Sequence, residues 1–268
     1  MSRSSYYTRT LQWALRILLF AATLAPAAIE AGSRAMLEKT VLALAAKEFV
    51  AGEDRPRSDG VVDYARIAGE MRALSACVPR WDEAMRLHAE DSKHPHTIGE
   101  HGLRALYFYA RSPHAAAVRA DSRRYFLDCL TALLHDMGKL DSPRSKAGRQ
   151  ASDAQHPALC ARYIRRHADA LGLDSGEAAW VANILEHHRD LGVLERTLRE
   201  PTWVRPAQAV LWRRALARDL RTRFNVDYLA ALTEADVRAI NGSAYDDWNL
   251  RQLLPLAFRS VVQDLPAR

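Results

Sequence analysis

Residues 126–134 (Phe-Leu-Asp-Cys-Leu-Thr-Ala-Leu-Leu) are nearly all apolar and run directly into His135-Asp136-Met137-Gly138-Lys139. A helix that is apolar around most of its circumference belongs in the middle of a core. This one therefore carries an imidazole and a carboxylate into the interior at its end. Burying such a pair is costly unless something compensates it. A divalent metal ion is one compensation, because imidazole nitrogen and carboxylate oxygen both bind such ions. A satisfied helix C-terminus closed by an Asp turn is another. Either way, the chain must supply enough further helices to enclose this one.

The rest of the sequence does so. Helical spacing runs through 33–50, with Met36, Val41, Leu42, Leu44 and Phe49, and through 61–75, with Val61, Ile67, Met71 and Leu74. Thr97-Ile98-Gly99-Glu100 is a T-x-x-E capping box, so a helix starts near residue 98 and presents Leu103, Leu106 and Tyr109 on one face. The central helix spans 115–135 and ends at Gly138. More helices are expected at 156–170, 176–189, 205–223, 225–240 and 246–258. Residues 52–60 read as a polar linker and 140–155 as a polar loop. Twelve glycines, eleven prolines and few β-branched runs disfavour an all-β sandwich, which needs frequent turns. The predicted fold class is all-α.

The N-terminus fits two readings. Residues 11–29 are apolar, but the run after Arg16 is only about nine residues, too short for a bilayer span of about 20. No membrane span is expected. Arg3 and Arg9, the apolar centre 17–24 and Ala25-Pro26-Ala27 make a signal peptide over 1–27. A buried helix ending at Pro26 is the alternative. Three scattered cysteines, Cys77, Cys129 and Cys160, exclude a disulfide framework and a cysteine zinc knuckle. A net charge of +6 is compatible with anionic ligands, but the cations are overwhelmingly arginine and make weak evidence for a polyanionic partner.

The His-Asp doublet has company. His101 lies one turn into the helix that starts at Thr97, His156 opens another helix, and His187-His188 closes the next. Asp236 sits in the mostly apolar Tyr228–Ile240 stretch, where an unpaired carboxylate is expensive. Each residue alone has an ordinary structural explanation as a cap or a solvated helix end. Their order, H…HD…H…HH…D, is far more specific.

That order resembles the HD superfamily of metal-dependent phosphohydrolases, whose motif is H…HD…D with HDxGK as the usual centre. Three passages, 78–106, 130–140 and 228–250, resemble the HD domain of bifunctional uridylyltransferase/uridylyl-removing enzymes. The resemblance covers about residues 10–258. It implies a helical N-terminal segment and linker (1–60), an HD domain (61–258) and a tail (259–268). It also favours the buried first helix and a cytoplasmic protein, with export through the signal peptide as the alternative.

By the same resemblance, His101, His135, Asp136 and Asp236 hold a divalent ion. His156 and His188, with His187 as rival, hold a second. The ion is one of Mn, Fe, Zn, Co, Ni or Mg, at one or two per chain. The implied chemistry is hydrolysis of a phosphate ester of a nucleotide or nucleotidylated protein by a metal-activated water. Asp136 and Lys139 are the catalytic candidates; Lys139 either contacts a phosphate or serves as a helix C-terminal cation. Arg104, Arg162 and Arg189 are either phosphate contacts or solvated surface. The partner is a phosphorylated small molecule or a nucleotidylated protein. The alternative is a non-catalytic HD module that binds a nucleotide, RNA or a partner protein. The family pattern is broken at Gly99, where an acid is usual, at His96, where an aromatic hydroxyl is usual, and at Gln155, where an Asp is usual. No nucleotidyltransferase signature occurs in these 268 residues, so uridylyl transfer is not expected of them.

Overall fold

The computed structural model describes residues 32–51, 61–88, 96–142, 155–199, 206–240 and 250–266. The two readings of the N-terminal apolar segment, including a core role for Leu15, Leu18, Leu19 and Leu24, lie outside the described residues. In chain order the elements are α1 (residues 32–46), β1 (Val50–Ala51), β2 (Val61–Val62), α2 (Ala68–Cys77), α3 (Trp81–Ala84), α4 (Ile98–Ala110), α5 (Pro113–Val118) and α6 (Ser122–Leu134). A 3-10 turn follows at Met137–Asp141, then α7 (His156–His167), α8 (Ser175–Glu186), α9 (Asp190–Arg199), α10 (Pro206–Leu220), α11 (Arg223–Ile240) and α12 (Leu250–Gln263). The fold is an all-α bundle, as expected. The only ladder among the described residues is the short antiparallel pair Val50↔Val62 and Ala51↔Val61.

Helix α6 is the centre: every residue from Tyr125 to Leu134 is buried. α4 packs on one side of it, and α11 packs along α4. α7 lies against α8 and the 3-10 turn. Two glycines permit the closest approaches. A Cβ at Gly102 would lie 2.2 Å from the Leu133 carbonyl oxygen, so α4 and α6 meet backbone to backbone. A Cβ at Gly138 would lie 2.1 Å from the Cys160 amide nitrogen, so the 3-10 turn seats directly on α7.

Several elements differ from expectation. The helix predicted over 33–50 ends at 46, because the chain then pairs as β1, and its buried face carries Leu37 while Met36 is 41% exposed. Residues 61–62 are strand, so the helix predicted over 61–75 begins only at Ala68. The predicted single helix 115–135 is two. Ser112 caps α5 by accepting from the Ala115 amide, and Asp121 caps α6 by accepting from the Arg124 amide. α6 stops at Leu134, ahead of Gly138, which sits inside the 3-10 turn. α9 was not predicted, and α12 continues past 258 to Gln263.

Candidate metal centre

Each histidine of the motif stands at or near a helix end. His135 is the C-cap of α6, and His188 lies just past the end of α8. Both turn an Nδ1–H back onto their own last turn. His135 donates to the Ala132 carbonyl at 2.9 Å and His188 to the Leu185 carbonyl at 2.6 Å. A backbone carbonyl only accepts, so Nδ1 carries a proton in each ring and Nε2 is the nitrogen turned inward, the orientation a ligating imidazole needs.

The inward atoms form two groups. In the first, His101 Nε2 lies 2.9 Å from Asp236 Oδ1 and 3.1 Å from His135 Nε2, and His135 Nε2 lies 3.2 Å from the same Asp236 oxygen. In the second, His156 Nε2 lies 3.0 Å from His188 Nε2 and 3.3 Å from Asp136 Oδ1, with His188 Nε2 4.0 Å from that oxygen. The other oxygen of Asp136, Oδ2, faces the first group, 3.6 Å from His101 Nε2 and 3.8 Å from His135 Nε2. Asp136 thus stands between the groups with one oxygen toward each. Ligand atoms held about 2.0–2.2 Å from one ion lie about 3–3.5 Å from one another, so most of these spacings suit shared coordination.

The electrostatics point the same way. Burial pushes His188 down to about 3, helped by the neighbouring His156 and His135 rings, so its imidazole stays neutral. Burial likewise lowers His101, against the pull of Asp236. For His135 burial also works downward, but Asp136 and Asp236 outweigh it and raise the group to about 9. Burial would raise both carboxyls, yet Lys139 and His135 hold Asp136 well below the usual range, and His135 and His101 do the same for Asp236. Two carboxylates therefore draw positive charge to this point, and a proton on His135 or a divalent cation meets that demand. The donor set, four imidazoles and two carboxylates, fits such a cation.

Of the six predicted ligands, five are 0–4% exposed, and only Asp236, with a side chain 20% exposed, reaches toward solvent. His187 does not join them. Its Nδ1 meets Asp190 Oδ2 at 2.7 Å, and its Nε2 faces Asp219 Oδ2 at 3.8 Å. Lys139 is buried with Nζ 2.5 Å from Asp136 Oδ2. Arg104 is buried rather than surface, with Nε donating to the Ala239 carbonyl at 2.8 Å, whereas Arg162 and Arg189 are exposed. Sequence reasoning missed the part Gly102 plays beside His101. A glycine inside a buried helix, next to a motif histidine, is the signal that could have found it.

No family profile matches the chain. Curated relatives named bifunctional uridylyltransferase/uridylyl-removing enzyme do. The protein from Cereibacter sphaeroides is 26% identical over 215 residues, covering 75% of this chain and 21% of its own length. That from Ruegeria pomeroyi is 25% identical over 203 residues, covering 71% and 20%. One from Haemophilus influenzae is 26% identical over 186 residues, covering 65% and 19%. The chain spans about a fifth of the length of the curated relatives it matches and is distantly related to one region of that enzyme. Among the described residues no helix is long and apolar enough to cross a membrane.

Proposed function

We propose that this chain is a metal-dependent phosphohydrolase of the HD type that cleaves a phosphate ester of a nucleotide or a nucleotidylated protein. Removal of a uridylyl group is the first activity to test, since the relatives are named for it. The observation that carries the reading is Asp136, set between His101–His135 and His156–His188 with one oxygen toward each pair. His101, His135, Asp136 and Asp236 would hold one ion, and Asp136, His156 and His188 a second. A bound divalent ion supplies Lewis acidity toward phosphoryl oxygen and lowers the pKa of water.

The protein's own part is orientation and charge. The Ala132 and Leu185 carbonyls hold the His135 and His188 rings in place. The buried setting keeps bulk water out and strengthens each charge interaction. Asp236, the most exposed ligand, marks the side from which an ester approaches. Lys139, its Nζ 2.5 Å from Asp136 Oδ2, sets an ammonium beside the centre and neutralises phosphoryl charge as it develops. The domain is 61–258, and the protein is cytoplasmic.

The test is a screen of the purified protein, loaded in turn with Mn, Fe, Co, Ni, Zn or Mg, against nucleotides, phosphodiesters and a uridylylated protein. Hydrolysis that tracks metal content supports the reading. Full metal loading with no hydrolysis of any substrate class overturns it. A native N-terminus at Ala28, read by mass spectrometry, would overturn the cytoplasmic location.

A further inference from the structure

Helices α9 and α10 lie beside the centre and carry exposed charge and apolar surface that the centre does not use. His187 marks their common corner. Its Nδ1 is 2.7 Å from Asp190 Oδ2, where α9 starts, and its Nε2 is 3.8 Å from Asp219 Oδ2, where α10 ends. The two helices pack on each other, so they run antiparallel. α9 also adjoins the open side of the centre. A Cβ at Gly192 would lie 3.7 Å from Thr233 Cγ2, and the Thr233 hydroxyl donates to the His188 carbonyl at 3.3 Å. Thr233 stands three residues before Asp236 on α11, about 4.5 Å along the helix. Asp236 is the ligand that reaches toward solvent. At the start of α9, Arg189, Val193 and Arg196 are exposed at i, i+4 and i+7; on α10, Leu211, Arg214 and Arg218 are exposed at i, i+3 and i+7. Each spacing puts its three residues on one helix face. Val193 is 39% exposed and Leu211 66%. The carboxylates of the two helices are engaged elsewhere. Asp190 meets His187, Asp219 meets Arg218 at 3.0 Å, and buried Glu195 accepts from the Ala257 N–H at 2.6 Å. Arg189, Arg196 and Arg214 make no ion pair among the described residues. The surface therefore holds uncompensated guanidinium groups around exposed aliphatic side chains.

We propose that this surface docks a protein substrate through a patch of acidic and apolar side chains, and so brings a nucleotidylated residue to the Asp236 side of the centre. The inference rests on the phosphohydrolase reading and gives that reading its partner. Guanidinium groups pair with carboxylates through two parallel hydrogen bonds, and arginine around an apolar middle is the usual make-up of a protein–protein interface. A nucleic-acid backbone would satisfy the arginines but would leave Val193 and Leu211 against water.

The experiment titrates the full chain, at about 0.15 M ionic strength, into a fluorescently labelled random copolymer of glutamate and leucine, and in parallel into polyglutamate, poly(U) RNA and phosphatidylserine vesicles. The copolymer should bind most tightly. The double variant Arg196→Glu/Arg214→Glu should weaken it by about tenfold or more, because carboxylates then face carboxylates. Leu211→Ser should weaken the copolymer and leave polyglutamate binding unchanged. Wild-type Tm and metal content verify the fold of each variant. Arg196→Gln/Arg214→Gln replaces the charge reversal if that form does not fold, with a smaller loss in the same direction. Absent copolymer binding, or binding that no variant weakens, overturns the docking surface. Tighter binding of poly(U) or of the vesicles gives the face to nucleic acid or to a lipid surface and overturns it as well. None of these measurements needs hydrolysis, so the docking surface can fail while the phosphohydrolase reading stands, and the ester screen judges that reading separately.

Discussion

Gly138→Ala is the sharpest test of how the two halves of the centre are held together. The added Cβ would lie 2.1 Å from the Cys160 amide nitrogen and 2.4 Å from the Leu159 carbonyl carbon, where ordinary contact begins near 3.4 Å. About 1.3 Å of separation must open. Both atoms are α7 backbone, so no side chain can swing aside, and α7 and the 3-10 turn have to part. That movement weakens the Gly138 N–H to Cys160 Sγ contact at 3.3 Å and draws His156 away from Asp136, now 3.3 Å apart. Forcing a methyl into a packed site costs about 1–3 kcal/mol. In a protein of this size that lowers Tm by roughly 3–10 °C. Gly99→Ala is the control. There the closest atom is Met85 Sδ at 2.4 Å, the far part of a flexible side chain, and a smaller shift is expected. Thermal unfolding gives Tm, and metal titration with elemental analysis gives ions per chain. Gly138→Ala should melt lower and lose affinity at the His156–His188 pair before the His101–His135–Asp236 group is affected. A variant with wild-type Tm and wild-type metal stoichiometry would refute the seating of α7 on this turn.

Three further outcomes are expected. Asp136→Ala should lose metal at both groups together with hydrolysis, because it removes the one carboxylate that faces both, whereas Lys139→Ala should keep its metal and lose kcat/KM toward phosphate esters; elemental analysis beside kinetics decides it. Asp128→Ala should cost about 3–5 kcal/mol in urea unfolding, because it leaves Arg124, now 2.9 Å from that buried carboxylate, without its counter-charge; an unchanged midpoint would deny the pair any structural role. Glu177→Gln should cost on the order of 1 kcal/mol near pH 7, from the loss of its part-exposed Arg123 ion pair, while the glutamine amide oxygen can still accept from the Asp174 N–H in the α8 capping box. Arg123 holds the Glu177 carboxyl below its ordinary value, so its stabilisation is complete above the unfolded pKa and disappears as pH falls through the folded one. The Tm gap between wild type and variant should accordingly close on acidification from about pH 5, and a gap that widens there would contradict the sign.

What could be read from the sequence follows the reach of local rules. The apolar stretch ending in His135-Asp136 required a central helix, and α6 is one. The cap at Thr97 set the start of α4, though only half of the box forms: Thr97 accepts from the Glu100 amide, while Glu100 takes His96 instead of the backbone. The break at 119–121 is signalled by Asp121-Ser122, whose Asp121 caps α6, although the apolar periodicity runs across it. Two-residue strands such as β1 and β2 have no period to detect. The choice between His187 and His188 lay beyond any spacing rule, since neighbours on a helix differ only by about 100° of rotation. Tertiary structure decides it. α9 begins at Asp190, whose carboxylate takes His187, and His188 is left to face Asp136.

The register of the centre has a further cause in the same seam. Asp128, Tyr109 and Tyr228 lie seven or eight residues along α6, α4 and α11 from His135, His101 and Asp236, about 10–12 Å of helix. The Tyr109 hydroxyl donates to Asp128 Oδ2 at 2.8 Å and the Tyr228 hydroxyl to the Asp128 carbonyl at 2.7 Å. His114 Nε2 approaches the same carboxylate at 3.4 Å, and Arg124 stacks between Trp180 and Phe224 while facing it. Apolar packing tolerates a sliding helix, because one methyl contact replaces another. A buried residue that accepts from one helix at its carboxylate and from another at its backbone carbonyl does not, since each slip leaves one of those oxygens unpaired. The three helices are thus pinned at one level by Asp128. Backbones with a fixed rise then bring His101, His135 and Asp236 to one level two turns away, where the ligand atoms lie 2.9–3.2 Å apart.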